Sequence, residues 1–114
     1  MSNKLIEIET VKVSDYMGNF VLGKHDGIIF RDIFLMPKLL PVLTKESKKL
    51  ISIDFDDCVI PTSFLDEVFG GIVKYYGYDR KHIMASIIII SNDDETLPHF
   101  IEKYIVKAEQ SGRV

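Results

Sequence analysis

The sequence predicts one α/β domain, in which helices pack on a sheet of parallel or mixed strands. Strand-like apolar segments alternate along the chain with amphipathic helical segments, which is the pattern of layered α/β proteins. Hydrophobic residues make up 46% and charged residues 27% of the 114 residues, as in folded globular chains. No internal repeat, low-complexity stretch or linker divides the chain. We therefore expect a single domain over residues 1–114, with roughly four strands and about three helices.

The N-terminal segment predicts two pieces of strand and a turn. From Leu5 to Val13 aliphatic residues alternate with polar ones, and the alternation shifts phase by one residue near Glu9–Thr10. A bulge or tight bend at that point is expected, because strand side chains alternate with a period of two. A turn at Gly18–Asn19 then leads into a short strand, Phe20–Leu22, which ends at Gly23.

The middle of the chain predicts a helix followed by a buried strand. Asp26 is suited to cap a helix whose apolar residues recur at helical spacing from Ile29 to Met36. Pro37 is expected to kink or end this helix, because proline has no backbone N–H. Leu50–Phe55 is apolar enough to be a strand of the kind that is covered on both faces.

The remaining elements are a helix, a strand and a final helix. Ser63 is the predicted N-cap of the first helix, because Asp66 then occupies its third position near the positive end of the helix dipole. Gly77 closes that helix, and the run Ile83–Ile90 predicts a central strand. Thr96 is the predicted N-cap of the last helix.

Charge and composition exclude several classes of function. The net charge of −3 argues against a nucleic-acid partner, and the cluster Lys45, Lys48 and Lys49 is typical of a solvated loop. Cys58 is the only cysteine, which excludes an intrachain disulfide and suits a reducing compartment. The longest apolar run, Ile87–Ile90, is too short to span a membrane, and no secretion signal is recognisable. We expect a cytoplasmic protein without a membrane partner.

The most specific segment is residues 51–71, ISIDFDDCVIPTSFLDEVFGG. It contains a buried strand, an acidic loop with a proline, and a Thr-Ser pair that opens an amphipathic helix. This segment resembles the STAS-like domains, relatives of the STAS domains of anti-sigma-factor antagonists, whose pattern is a strand ending in Asp, a loop, a serine pair and an amphipathic helix. The upstream Phe30-Arg31-Asp32 and Met36-Pro37 are also similar to that family, and the resemblance spans residues 27–108.

The resemblance implies a regulatory interaction domain. STAS domains dock on ATP-binding kinase-like partners, and phosphorylation of a serine at the helix start switches that docking. An ungapped alignment from Asp54 places this serine at Ser63, whereas an alignment on the apolar helix positions places it at Thr62. The bulky Phe64 departs from the small residue of the family pattern, so Ser63 as a plain N-cap is the competing interpretation. We expect no catalytic residue, metal or cofactor.

Two adjacent glycines in this helix suggest where a partner docks. Each glycine lowers helix stability by about 1 kcal/mol relative to alanine, so a compensating role is expected. At 100° per residue, Gly70 lies opposite the apolar stripe and Gly71 lies at its edge, where it would permit close packing. We predict a docking surface over Asp66, Glu67, Gly70 and Lys74. The two acids of this surface would also repel a phosphate added at the helix start.

Two alternatives remain open. Asp54 and Asp56, with Asp93 and Asp94 after a later strand, resemble the acids of haloacid-dehalogenase-type phosphatases, and they would make a small Mg²⁺-dependent phosphotransfer domain. Only about thirty residues separate the two motifs, and no lysine follows an intervening strand, which weighs against this reading. The other alternative is an antitoxin-like or structural subunit that caps a partner or forms a homodimer through exposed apolar residues of Gly27–Leu43.

Overall fold

The computed structural model describes residues 6–112, which form a three-stranded parallel sheet and five helices. The strands, in spatial order, are β1 (Ile8–Lys12), β2 (Leu50–Asp54) and β3 (Ile87–Ile90). The helices are α1 (Val13–Met17), α2 (residues 24–43), α3 (residues 62–76), α4 (Arg80–Ser86) and α5 (Leu97–Ser111). None of these helices, within the described residues, combines the length and apolar character needed to cross a bilayer.

The central strand β2 pairs in parallel with both of its neighbours. Ile53 lies opposite Val11 on one side and Ile89 on the other. Val11 and Ile53 are fully buried, because their face of the sheet is covered by helices.

The strand β1 is regular, so the bulge predicted near Glu9–Thr10 does not occur there. Each β1 residue pairs in sequence with one β2 residue, from Ile8 to Lys12. The shift in the alternation of aliphatic and polar residues has a different cause. Val11 and Val13 point into the core, whereas Ile8 is 54% exposed on the opposite face. The predicted start of this strand at Leu5 lies outside the described residues.

The predicted strand Phe20–Leu22 is reduced to a single bridge, between Phe20 and Val59. Gly18 and Gly23 on either side of it both have a positive φ, so the extended backbone ends after a few residues. The sheet of the described residues therefore has three strands, not the predicted four.

The predicted strand Ile83–Ile90 divides into α4 and β3. Asp79 caps α4, where its carboxylate accepts a hydrogen bond from the His82 backbone N–H at 2.9 Å. This cap lets the chain begin a helix, and only the β-branched run Ile87–Ile90 remains as strand. Together with α1, this helix raises the number of helices above the predicted three.

Two of the three long helices, α2 and α3, contain a π-helical segment, in which the backbone hydrogen bonds span one extra residue. Helix α2 consists of Lys24–Ile29, the π segment Phe30–Leu35, and Met36–Leu43. Helix α3 consists of Thr62–Leu65, the π segment Asp66–Gly70, and Gly71–Tyr76. Pro37 does not end α2 as predicted, because it lies in the first turn after the π segment, where its missing N–H costs little.

Fully buried aromatic side chains join α3 to its surroundings. Phe30 of α2 packs on Phe64 with ring centroids 5.6 Å apart, and Phe55 after β2 packs on Phe69 at 6.2 Å. Helix α5 packs against the π segment of α3. Thr96 is the N-cap residue of α5 as predicted, although its hydroxyl donates to Asp94 and accepts no hydrogen bond from the helix N–H groups of the described residues.

Candidate functional site

The start of α3 is exposed and lacks a side-chain cap among the described residues. Pro61 holds the extended N-cap position, and its C=O accepts a hydrogen bond from the Phe64 N–H at 3.1 Å. Ser63 therefore lies inside the first turn, and its predicted role as N-cap is wrong. The proline ring fixes φ at Pro61, so that Pro61 is the N-cap residue and the helix begins directly after it, at Thr62. Both hydroxyls, of Thr62 and Ser63, are exposed at the surface.

The start of α2 lies beside Ser63. Gly23, immediately before α2, has a φ of 108°, and a Cβ at this position would lie 2.7 Å from Ser63 Oγ. Only glycine therefore allows this approach and this backbone conformation. A small cleft of about 200 Å³ results, and Lys24 of α2 lines it together with Ser63 and Lys74.

An exposed apolar surface borders this cleft. Phe20, Leu22 and Val59, which we call the Phe20 patch, are 69%, 86% and 58% exposed. Their backbones are tied together, since the Val21 N–H donates to the Val59 C=O at 3.3 Å. Val21 is buried, which turns its two neighbours outward. Leu22 adjoins Gly23, so the patch reaches the cleft.

Sequence reasoning missed the Phe20 patch, because it assigned Phe20–Leu22 to the sheet. The signal was present in the two glycines, Gly18 and Gly23, that restrict this stretch to a few extended residues. Sequence reasoning also missed Lys24, which only the folded chain brings close to Ser63.

A buried ion cluster lies beneath the cleft, where Arg31 is only 3% exposed. Its Nη1 donates to the Glu67 backbone oxygen at 2.6 Å and to Glu67 Oε2 at 2.7 Å. Its Nε donates to Asp32 Oδ1 at 2.8 Å, and this bond is the main cause that lowers the pKa of Asp32. Tyr76 donates its hydroxyl to the same carboxylate, and burial together with this bond raises the pKa of Tyr76.

The two π segments supply the members of this cluster. Arg31 and Asp32 belong to the π segment of α2, and Glu67 belongs to that of α3. A Cβ at Gly71 would overlap the Arg31 guanidinium, which confirms the prediction that Gly71 permits close packing. Glu67, predicted as part of a docking surface, is instead engaged inside the fold.

The prediction that Gly70 lies on an exposed face is wrong. The residue is buried against α5, where an added Cβ would lie 3.7 Å from Ala108 Cβ and 3.8 Å from the Tyr104 backbone oxygen. The π segment breaks the 100° periodicity on which the prediction was based, and it rotates Gly70 towards α5. Of the predicted docking residues, Asp66, Glu67 and Lys74 line the cleft beside Ser63, although Glu67 is also bound to Arg31.

The acids at the strand ends hold two loops together. Asp56 accepts hydrogen bonds from the backbone N–H groups of Asn92 at 2.7 Å and Asp93 at 2.9 Å, and these contacts, the Asp93 bond most strongly, lower its pKa. Asp54 Oδ1 accepts the Asp56 N–H at 2.9 Å, and Asp54 Oδ2 lies 3.6 Å from Lys12 Nζ. Within residues 6–112, no three acidic, histidine or cysteine side chains are grouped to hold a metal.

A protein-family model matches residues 26–97, more than half of the chain, and is described as a STAS-like domain of unknown function. The matched segment contains α2 from Asp26 onward, followed by β2, α3, α4 and β3. No curated protein and no solved structure matches the chain significantly. The family match confirms the resemblance drawn from residues 51–71.

Proposed function

We propose, from the premise that the chain belongs to the family of STAS-like domains of unknown function, that it is a regulatory protein–protein interaction module. It docks on another protein through the Phe20 patch and the start of α3. The observation that carries the proposal is that the three exposed apolar side chains of the Phe20 patch lie next to the exposed start of α3. Leu22 adjoins Gly23, and Gly23 packs directly against the exposed Ser63.

The Phe20 patch supports docking on energetic grounds. Apolar side chains that are exposed next to one another and bordered by polar residues mark interaction sites. Aromatic anchors such as Phe20 commonly contribute a large share of binding energy when a partner covers them. Thr62, Ser63 and Lys24 provide the polar border on the side of the cleft.

Ser63 is the favoured site of a phosphorylation switch, and Thr62 is the second candidate. A phosphate on Ser63 would meet Lys24 and Lys74 in the cleft, and charge-assisted hydrogen bonds to lysine stabilise phosphate. Glu67 would repel this phosphate, but its charge is offset by the ion pair with Arg31. Asp66 is then the acid whose charge opposes the phosphate. Added negative charge at the edge of the Phe20 patch would weaken the docked complex.

The family resemblance implies an ATP-binding kinase-like partner, and we place this pair in the cytoplasm. The same partner would transfer the phosphate.

Homodimer formation through Gly27–Leu43 has less support, because few large apolar side chains of that segment are exposed. On that segment Ile28 is 37% and Ile33 60% exposed, and Phe34 packs against Tyr16 within the chain.

A pull-down from a lysate of the native host tests the proposal, with the wild-type chain, Leu22→Ser and Ile33→Ser as baits. Leu22 is 86% exposed, so its replacement removes apolar contact area without disturbing the core. We expect a partner that wild type and Ile33→Ser retain equally and that Leu22→Ser loses. Mass spectrometry of the recovered baits reports a phosphate on Ser63 or Thr62.

Retention of the same proteins by Leu22→Ser would contradict docking through the Phe20 patch. If a partner is captured, the purified pair with ATP tests the switch. Phosphate transfer to the wild-type chain that stops in Ser63→Ala, and not in Thr62→Val, would identify the site. If phosphate is transferred to neither hydroxyl, the phosphorylation part of the proposal is contradicted and the docking part is unaffected.

A further inference from the structure

A second concave surface lies at the beginning of β2, opposite the end that leads to Ser63. It is a cavity of about 460 Å³ between residues 44–50 and α4. This volume falls in the range of small-molecule sites, roughly 300–1,000 Å³.

Four lysines line the cavity, and no carboxylate among the described residues does. Lys45, Lys48 and Lys49 come from the loop before β2, and Lys81 comes from α4. Lys49 is paired with Glu9 at 2.7 Å, whereas Lys45, Lys48 and Lys81 form no ion pair within residues 6–112. Because the chain as a whole carries a net charge of −3, this local excess of cations favours a negatively charged ligand.

The backbone of Lys45 supports a role for its side chain. Lys45 follows the end of α2 with a φ of 64°, the left-handed conformation in which glycine is the usual residue. Lysine is disfavoured there, because its Cβ approaches a carbonyl oxygen. The Lys45 N–H donates to the Val42 C=O at 3.1 Å, which fixes this position at the edge of the cavity.

The floor of the cavity is apolar. Val42 and Leu43 of α2 are buried there, and Leu50 of β2 is half-buried. Ala85 of α4 completes the lining on the side of Lys81. A ligand that fills the cavity would therefore place apolar atoms on this floor while its charge stays near the lysines.

We propose that this cavity binds a small phosphomonoester with an apolar body. Its phosphate lies among Lys45, Lys48 and Lys81, since lysine is a compact charge suited to phosphate, and its body covers the floor. The same chemistry occurs in soluble organic phosphates and in the headgroup of a phosphatidate lipid. The recessed floor favours the soluble source.

Titration of the ¹⁵N-labelled full chain with hexyl phosphate tests this site. We expect amide shifts within residues 42–50 and 81–86, and an affinity at least about tenfold higher than for inorganic phosphate, because burial of the hexyl chain adds binding energy. The double variant Lys45→Gln/Lys81→Gln should weaken binding about tenfold or more. The control Lys103→Gln, on α5, removes one exposed lysine outside the cavity and should leave the affinity unchanged.

Three results would overturn the proposal. One is the absence of shifts at these residues with millimolar hexyl phosphate. Another is equal weakening by the double variant and by Lys103→Gln, which would indicate general charge attraction. The third is binding of the chain to phosphatidate vesicles without any binding of hexyl phosphate. None of these variants alters the Phe20 patch, so the docking proposal stands or fails independently.

Discussion

Arg31 is the one charged residue that is buried within the described part of the chain. An unpaired buried guanidinium would cost several kcal/mol, and here two carboxylates and the Glu67 backbone oxygen accept its hydrogen bonds. The Tyr75 ring, 4.9 Å from the guanidinium carbon, covers the remaining side. Such a cluster adds little net stability, but it fixes how α2 and α3 lie against each other, and thereby the shape of the cleft beside Ser63.

Replacement of Gly71 by alanine should disrupt this cluster. The new Cβ would overlap the guanidinium of Arg31, which cannot move away without breaking its bonds to Glu67 and Asp32. We expect the free energy of unfolding to fall by about 3–5 kcal/mol, the range for loss of a partner in a buried ion pair. Urea denaturation monitored by circular dichroism measures this loss.

Gly70→Ala is the matched control, one residue earlier in the same helix. Its Cβ would lie 3.2 Å from the Asp66 carboxylate, a half-buried group at the end of a side chain that can shift. The gain in helix propensity offsets this contact, so we expect a change of less than about 1 kcal/mol. Equal losses in the two variants would mean that Arg31 is not the cause.

The different outcomes for these two glycines indicate what a helical wheel can predict. Gly71 was placed correctly, at the edge of the apolar stripe, and the prediction of close packing is confirmed. Gly70 was placed on the wrong face, because a π segment adds one residue to a turn and leaves no mark in composition or spacing. The N-cap prediction at Ser63 failed for another local reason. The preceding Pro61 takes the N-cap position and places Ser63 in the first turn.

At the scale of elements, long segments were predictable and short ones were not. The helices α2, α3 and α5 each span enough residues for their periodicity to be visible, and the short strand β2 was recognisable from its apolar run. The helices α1 and α4 have fewer than two full turns each. Their existence depends on local contacts such as the Asp79 cap, which sequence reasoning did not consider.

Glu9 connects β1 to α2 and to the loop before β2, and its ionisation predicts how the stability of the fold varies with pH. Its carboxylate in β1 accepts hydrogen bonds from Lys38 of α2 at 2.8 Å and from Lys49 before β2 at 2.7 Å. The bond from Lys38, followed by that from Lys49, lowers the pKa of Glu9 from 4.5 to about 2. The folded chain therefore favours the ionised form, and this contribution to stability is present above pH 4.5 and is lost as the pH falls towards 2.

The variant Glu9→Gln should accordingly be less stable than wild type at neutral pH, and the difference should shrink as the pH falls towards 2. Because the Glu9 side chain is 32% exposed, we expect a difference of about 1 kcal/mol or less at neutral pH. Urea denaturation of both proteins across this pH range provides the measurement. Glu7→Gln serves as control, since Glu7 is exposed and forms no ion pair within residues 6–112. A difference that does not vary with pH would contradict the assignment.

At the scale of the whole molecule, the two proposed surfaces lie at opposite ends of β2. The lysine-lined cavity adjoins Leu50, where β2 begins, and the loop after Asp54 leads to Thr62 and the Phe20 patch. Local sequence predicts that a helix begins near Ser63, although it does not identify Pro61 as the N-cap residue. The cavity and the contact of Phe20 with Val59 could not be predicted, because each depends on residues that are distant in sequence and that meet only after folding.

The edge of the sheet at which the strands end is where an experiment can distinguish the interaction module from the Mg²⁺-dependent alternative. The Asp56 carboxylate is occupied by hydrogen bonds from Asn92 and Asp93, so it joins the loop after β2 to the loop after β3. We expect Asp56→Asn to lower Tm, because asparagine has one oxygen fewer to accept these bonds.

Thermal melts with and without millimolar Mg²⁺ separate this structural role from metal binding. Mg²⁺ should leave the Tm of the wild-type chain unchanged, since only a ligand that binds the folded state raises it. Asp57→Asn is the control: Asp57 has a φ of 63°, which asparagine tolerates, and within residues 6–112 its exposed carboxylate forms an ion pair with Lys12 alone. Its Tm should therefore fall less than that of Asp56→Asn. A rise in the wild-type Tm with Mg²⁺ that disappears in Asp56→Asn would instead favour phosphotransfer chemistry at Asp54 and Asp56, because it would require these carboxylates to exchange their loop contacts for a metal ion.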